Sequence, residues 1–131
     1  MATLIAVIDD DESVRDSLRT LLRSAGYRVM TFESAGGFLE SGARDGAECL
    51  ILDVRMPGME GPELQARLKQ SNSRVPIVFI TAHEDSLVRE RVLRAGAVDV
   101  LSKPFAPQAL LSTVQAALRK EEEDATNCAT G

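Results

Sequence analysis

Five short apolar runs recur along the chain, and each is followed by a stretch with helical spacing. The first, third and fourth runs are almost wholly apolar and rich in Val and Ile, which is typical of central strands covered on both faces. The second and fifth runs are more mixed, which favours the edges of a sheet. In chain order the runs are LIAVID (4–9), RVMTF (28–32), CLILD (49–53), PIVFIT (76–81) and VDVLS (98–102).

Amphipathic stretches between these runs predict helices. The first has apolar residues at 14, 18, 21, 22 and 25 and ends at Gly26, where a C-terminal cap belongs. The second, 34–41, is weak because it contains two glycines, and the third begins at Gly61-Pro62, since Pro is favoured at the first helical position. The fourth runs from about Glu84 to Ala95, and the last begins at Pro107. Five strand–helix units in a row predict an α/β fold with a parallel sheet and helices on both faces.

Size and composition suit a single globular domain. The chain has 131 residues, of which 44% are apolar and 27% charged, and its net charge of −5 argues against nucleic-acid binding by this chain alone. No apolar run reaches membrane-spanning length, so no membrane partner and a cytoplasmic location are expected. Cys49 and Cys128 lack metal-ligand spacing and are expected to be free thiols. We predict a domain over 1–120 and a tail or linker over 121–131, which is acidic and then small and polar.

Polar residues stand at the ends of four of the five predicted strands. Asp9 and Asp10 follow the first apolar run, Asp53 closes the third, Thr81 closes the fourth, and Lys103 follows the fifth. In open α/β sheets, ligands bind at the carboxyl ends of the strands. These residues are therefore expected to converge on one edge of the sheet.

The chemistry of this set points to a phosphoryl group and a metal ion. Clustered carboxylates repel one another, so a positive partner is needed. Lys103 supplies one charge, and Mg²⁺ is suited to supply the rest because it prefers hard oxygen ligands. A carboxylate in such a site can act as a nucleophile toward phosphorus, and Thr81 can donate a hydrogen bond to the new group. Asp11 is instead expected to cap the first helix.

Four motifs in order resemble the receiver domain of two-component response regulators. They are VIDDDES, LILDVRMPGMEG, IVFITA and SKPF, and the resemblance runs from about residue 4 to residue 120. The segments DVRMPGMEG and RAGAVDVLSKPF are most similar to regulators with a LuxR-type helix-turn-helix output domain. The resemblance implies a flavodoxin-like (βα)5 fold, doubly wound, with strand order 2-1-3-4-5.

The resemblance also implies a function and its residues. Asp53 would accept a phosphoryl group from a sensor histidine kinase, with Thr81 and Lys103 contacting that group. The chain would then be a phosphorylated signalling switch rather than an enzyme, controlling an output that we expect to be transcription. DNA would be contacted only through an output domain outside this chain, and a homodimer would form through the fourth helix and the fifth strand. The bond between Lys103 and Pro104 is expected to be cis.

The metal ligands implied by the resemblance are oxygen atoms around the same aspartate. Asp10 and Asp53 would bind Mg²⁺ directly, Asp9 mainly through water, and Arg55 through its backbone carbonyl. In this family the positions of Arg55 and His83 flank the phosphoryl site and help to set its hydrolysis rate.

Two alternatives stay open at the level of sequence. Asp9 and Asp11 have the spacing of the nucleophile and second aspartate of haloacid-dehalogenase-like phosphatases, in which Asp9 would be the nucleophile. Val100 stands where many receivers carry Phe or Tyr, which leaves the route of signal transmission open and allows a degenerate receiver that acts without phosphorylation.

Overall fold

A five-stranded parallel sheet forms the centre of the molecule in a computed structural model, which describes residues 2–83 and 85–130, and the side-chain surroundings of all of these except Arg44 and 120–130. The strand order is β2-β1-β3-β4-β5, which confirms the predicted order and places the two mixed runs at the edges. The strands are β1 Leu4–Ile8, β2 Arg28–Phe32, β3 Cys49–Asp53, β4 Ile77–Thr81 and β5 Asp99–Ser102.

The described residues form five α-helices that connect and follow the strands, and a short 3₁₀ helix at Ala43–Asp45 precedes β3. Side-chain oxygens of Asp11, Ser34 and Asp85 accept backbone N–H groups at the starts of α1, α2 and α4. The start predicted for α4 at Glu84 lies outside the described residues, while α5 continues as helix across the boundary predicted at residue 120. The helices are α1 Glu12–Ser24, α2 Ala35–Glu40, α3 Gly61–Gln70, α4 Ser86–Arg94 and α5 Pro107–Thr130.

Two apolar layers cover the sheet, one on each face. Alternate strand residues point to opposite faces, so that Ile5 and Val7 pack with α1 and α5 while Ala6 and Ile8 pack with α2, α3 and α4. All five residues of β1, β3 and β4 are buried, as their apolar sequences predict. None of the helices within 2–83 and 85–130 has the length and apolar character needed to span a bilayer.

The register of the sheet aligns the strand ends. Ile8 pairs with Leu52, Asp53 with Ile80, and Thr81 with Ser102. The residues that follow β1 and close β3 and β4 therefore share the carboxyl edge of the sheet.

Candidate functional site

Three carboxylates meet at the carboxyl edge of the sheet. Oxygen atoms of Asp9, Asp10 and Asp53 all lie within 4.8 Å of one another. Asp9 is fully buried and Asp53 is 6% exposed, whereas Asp10 is open to solvent. Mutual repulsion in this partly desolvated cleft makes a cation energetically favourable.

Lys103 reaches the same cleft from the end of β5. Its Nζ lies 2.9 Å from Oδ2 of Asp9 and 3.7 Å from Oδ2 of Asp53. Its backbone N–H donates to the carbonyl of Thr81 at 2.7 Å, and the bond to Pro104 is cis, as expected. The ammonium therefore stands between the two buried carboxylates.

Asp9 is held at each of its polar atoms. Its N–H donates to the carbonyl of Phe32 at 3.0 Å, and its carbonyl accepts from Nη1 of Arg15 at 2.8 Å. Its Oδ1 accepts the N–H of Asp11 at 2.9 Å, while Oδ2 accepts from Lys103. Asp9 is thus fixed in place with both carboxylate oxygens engaged.

Asp53 is held more loosely than Asp9. Its Oδ1 accepts the N–H of Arg55 at a long 3.4 Å. Burial, followed by the charge of Asp9, raises the pKa of Asp53 to about 6, against a smaller lowering by Lys103. A carboxylate whose charge is this poorly compensated gains from a bound cation, and such groups concentrate at functional sites.

The donor set fits a hard divalent cation. Three carboxylates face one ammonium, so the cluster carries excess negative charge, and all of its side-chain acceptors are oxygens. Mg²⁺ binds through one or two protein carboxylates and keeps several waters, which the exposed side of Asp10 leaves room for.

Thr81 is directed toward its own loop. Its hydroxyl donates to the carbonyl of His83 at 2.8 Å and accepts the N–H of His83 at 3.2 Å, while the His83 side chain is exposed. A cavity of about 10 Å³ lies beside it, with Val100 and Arg89 in its wall. The Thr81 hydroxyl is therefore engaged by the backbone of the loop that follows β4.

Three residues of the site were missed by sequence reasoning. The backbone carbonyl of Asp9 accepts from Nη1 of Arg15, and Arg89 on α4 donates from Nη1 to the carbonyl of Val100 at 2.8 Å. Gly61 packs so closely under β3 that a Cβ there would overlap the carbonyl oxygen of Asp53. The direction of helical side chains toward the helix N-terminus was the one available signal for Arg15.

The family model for the response regulator receiver domain matches residues 5–115 of the chain. The chain belongs to this family. It is a receiver domain of the two-component response regulators, and the phosphatase alternative gains no support.

Relatives of this receiver domain include named regulators. It is 41% identical to the response regulator protein TodT of Pseudomonas putida over 126 residues, covering 96% of this chain and 56% of TodT. It is 42% identical to the transcriptional regulatory protein FixJ of Bradyrhizobium diazoefficiens over 118 residues, covering 90% of this chain and 58% of FixJ. The structure of response regulator StyR matches with a TM-score of 0.89 and 46% identity, covering 99% of this chain and 66% of StyR. The receiver domain thus spans about half the length of the curated relatives it matches.

Proposed function

We propose that the receiver domain accepts a phosphoryl group on Asp53 from a sensor histidine kinase, with Mg²⁺ bound beside it. The observation that carries this proposal is the convergence of Asp9, Asp10 and Asp53 within 4.8 Å, with Nζ of Lys103 between the two buried acids. This arrangement combines a nucleophile, a cation site and a fixed positive charge at one strand edge.

Asp53 is better suited than Asp9 to act as the nucleophile. Both carboxylate oxygens of Asp9 accept hydrogen bonds of 2.9 Å and its side chain is fully buried, whereas the contacts of Asp53 are longer, at 3.4 Å to the N–H of Arg55 and 3.7 Å to Nζ of Lys103. An oxygen of Asp53 would attack the phosphorus as the bond from phosphorus to the imidazole nitrogen of the donor breaks. Lys103 would stabilise charge on the phosphoryl oxygens.

The metal would be held by Asp10, Asp53 and the backbone carbonyl of Arg55, with Asp9 acting mainly through water. When bound, Mg²⁺ supplies positive charge that offsets the charge of the phosphoryl oxygens. The exposure of Asp10 supports this division, because its carboxylate is open to solvent while that of Asp9 is engaged.

Phosphorylation would shift the domain between two conformations. The Thr81 hydroxyl would leave the carbonyl of His83 for a phosphoryl oxygen, which changes the loop that precedes α4. The population can shift only by the difference in interaction energy between the two states. We further propose a cytoplasmic location, a homodimer through α4 and β5, and control of transcription through a LuxR-type output domain outside this chain.

The test is the intact mass of the protein after incubation with acetyl phosphate. We expect one added phosphoryl group in the wild type with Mg²⁺, and none without Mg²⁺ or in Asp53→Asn. Asp9→Asn serves as the comparison, since an adduct that survives Asp53→Asn and disappears in Asp9→Asn would assign the nucleophile to Asp9.

A short-lived adduct is distinguished from an inactive site by beryllofluoride. Beryllofluoride forms a stable analogue of an aspartyl phosphate. It is titrated into the protein in the presence of Mg²⁺, and the amide NMR shifts of residues around Asp53 are followed. We expect saturable shifts in the wild type and none in Asp53→Asn. Absence of both the adduct and the shifts would contradict phosphorylation and favour the degenerate receiver.

A further inference from the structure

Arg15 makes a contact with the acid site that the proposed chemistry does not use. Its Nη1 donates to the backbone carbonyl of Asp9 at 2.8 Å, and the side chain is half-buried. Arg15 lies in the first turn of α1, and long side chains on a helix point back toward its N-terminus. The guanidinium therefore reaches across the turn that carries Asp9 and Asp10.

The carbonyl that Arg15 holds belongs to the peptide group joining Asp9 to Asp10. On the other side of Asp9, its N–H is held by the carbonyl of Phe32 at 3.0 Å. The backbone is thus fixed both before and after Asp9. Because Asp10 is exposed, the packing of neighbouring side chains does little to orient its carboxylate, and the direction of the backbone matters more.

We propose that Arg15 is a positioning residue for the divalent-cation site, acting through the peptide group between Asp9 and Asp10. This inference rests on the proposed function, because it assumes that Asp10 is a ligand of Mg²⁺. Residues that orient metal ligands through hydrogen bonds typically contribute roughly 10–100-fold to metal affinity.

If Arg15 acted only through its charge, its loss would change the Mg²⁺ affinity in the opposite direction. A guanidinium near a metal site repels a divalent cation, so the loss of its charge would tighten Mg²⁺ binding. The loss of positional support would weaken it. The direction of the change in affinity therefore separates the two roles.

The experiment is isothermal titration calorimetry with Mg²⁺ at fixed pH and ionic strength. Arg15→Met retains an apolar stem and loses the donors, and we expect its Kd to rise roughly 10-fold. Arg15→Lys, which can still donate to the carbonyl, should lie between Arg15→Met and the wild type. Arg23→Ala, which removes the same charge from the exposed last turn of α1, should leave the Kd unchanged.

A second readout separates affinity from chemistry. The initial rate of labelling by acetyl phosphate is measured against Mg²⁺ concentration for the wild type and Arg15→Met. We expect the half-saturating concentration to rise with the Kd and the rate at saturating Mg²⁺ to return to the wild-type value. A lower saturated rate with unchanged Kd would overturn the inference.

The remaining outcomes are also decisive. If the wild type binds Mg²⁺ and Arg15→Met binds it equally well or more tightly, the positioning role is wrong and the proposed function stands. If the wild type binds no Mg²⁺, both fail. If circular dichroism shows that Arg15→Met is unfolded, Arg15→Gln, which keeps a polar end but not the reach, is judged by the same criteria.

Discussion

Three consecutive aspartates have three different surroundings. Asp9 is buried and engaged with Lys103, Asp10 is exposed, and Asp11 accepts the N–H of Ser13 as the cap of α1. The hydroxyl and N–H of Ser13 lower the pKa of Asp11, so this cap keeps its charge in mild acid. Neighbouring residues of one type can therefore have distinct roles, because the strand end turns each carboxylate in a different direction.

Asp53 should destabilise the metal-free fold at neutral pH. Its pKa is about 6 in the folded protein, above the ordinary value of 3.8, so the folded state binds the proton more tightly than the unfolded state. The cost of ionisation is absent below pH 3.8, grows as pH rises toward 6, and is complete above 6. In EDTA at pH 8, we expect Asp53→Asn to be more stable than the wild type by about 1–3 kcal/mol, measured by urea unfolding.

The pH dependence and a control make this prediction specific. The advantage of Asp53→Asn should shrink toward zero at pH 4, and Mg²⁺ should reduce it at pH 8 by stabilising the wild type. Asp45→Asn, which alters an exposed acid in the 3₁₀ helix, should show neither effect. A variant Asp53→Asn that is less stable at pH 8 would mean that Lys103 compensates the buried charge fully.

At the scale of elements, the start of α3 lies against the end of β3. A Cβ on Gly61 would overlap the carbonyl oxygen of Asp53 and lie 2.9 Å from Cε1 of Phe79, both of which are fixed by the sheet. Gly61 also donates its N–H to the carbonyl of Val54 at 3.0 Å. The first turn of α3 therefore packs directly against the end of β3, where Asp53 lies.

Gly61→Ala should disturb both stability and the site. Forcing a methyl group into a close backbone contact typically costs about 1–3 kcal/mol, and here the displacement falls on Asp53. We expect a loss of this size in urea unfolding, together with a slower gain of phosphoryl mass. Gly36→Ala in α2 is the matched control, since its Cβ would meet nothing within 4 Å, and it should stabilise the protein by about 0.5–1 kcal/mol without affecting labelling. Equal effects of the two variants would contradict the role of the Gly61 contact.

The elements could be predicted from sequence more completely than the contacts of the site. The apolar runs placed each strand within a residue or so, because burial on both faces leaves a plain apolar signature. The carboxyl-edge cluster followed from the polar residues at the strand ends combined with the parallel topology of the sheet. The hydrogen bonds of Thr81 and Arg89 depend on local packing, which residue patterns do not record. For Arg15, helix geometry indicated the direction of the side chain but not its acceptor.

At the scale of the whole molecule, the acid site and the proposed dimer surface are adjacent. Thr81 lies at the carboxyl end of β4, beside β5, and Arg89 joins α4 to β5 through the carbonyl of Val100. A change in the Thr81–His83 contact therefore falls next to α4. Leu87 on this helix is 77% exposed, and Met30 on the opposite edge strand is 41% exposed.

These two exposed residues offer a matched test of the dimer. With Mg²⁺ and beryllofluoride we expect sedimentation velocity to show a dimer of the wild type, because activation would rearrange α4 and a large apolar side chain there favours association. Leu87→Glu should place a charge in the interface and raise the dimer dissociation constant at least about tenfold, equivalent to about 1.4 kcal/mol. Met30→Glu, the same type of change at β2, should dimerise like the wild type. Loss of the dimer in Met30→Glu with retention in Leu87→Glu would place the interface at the β2 edge instead. If all three proteins stay monomeric, the signal leaves this domain by another surface.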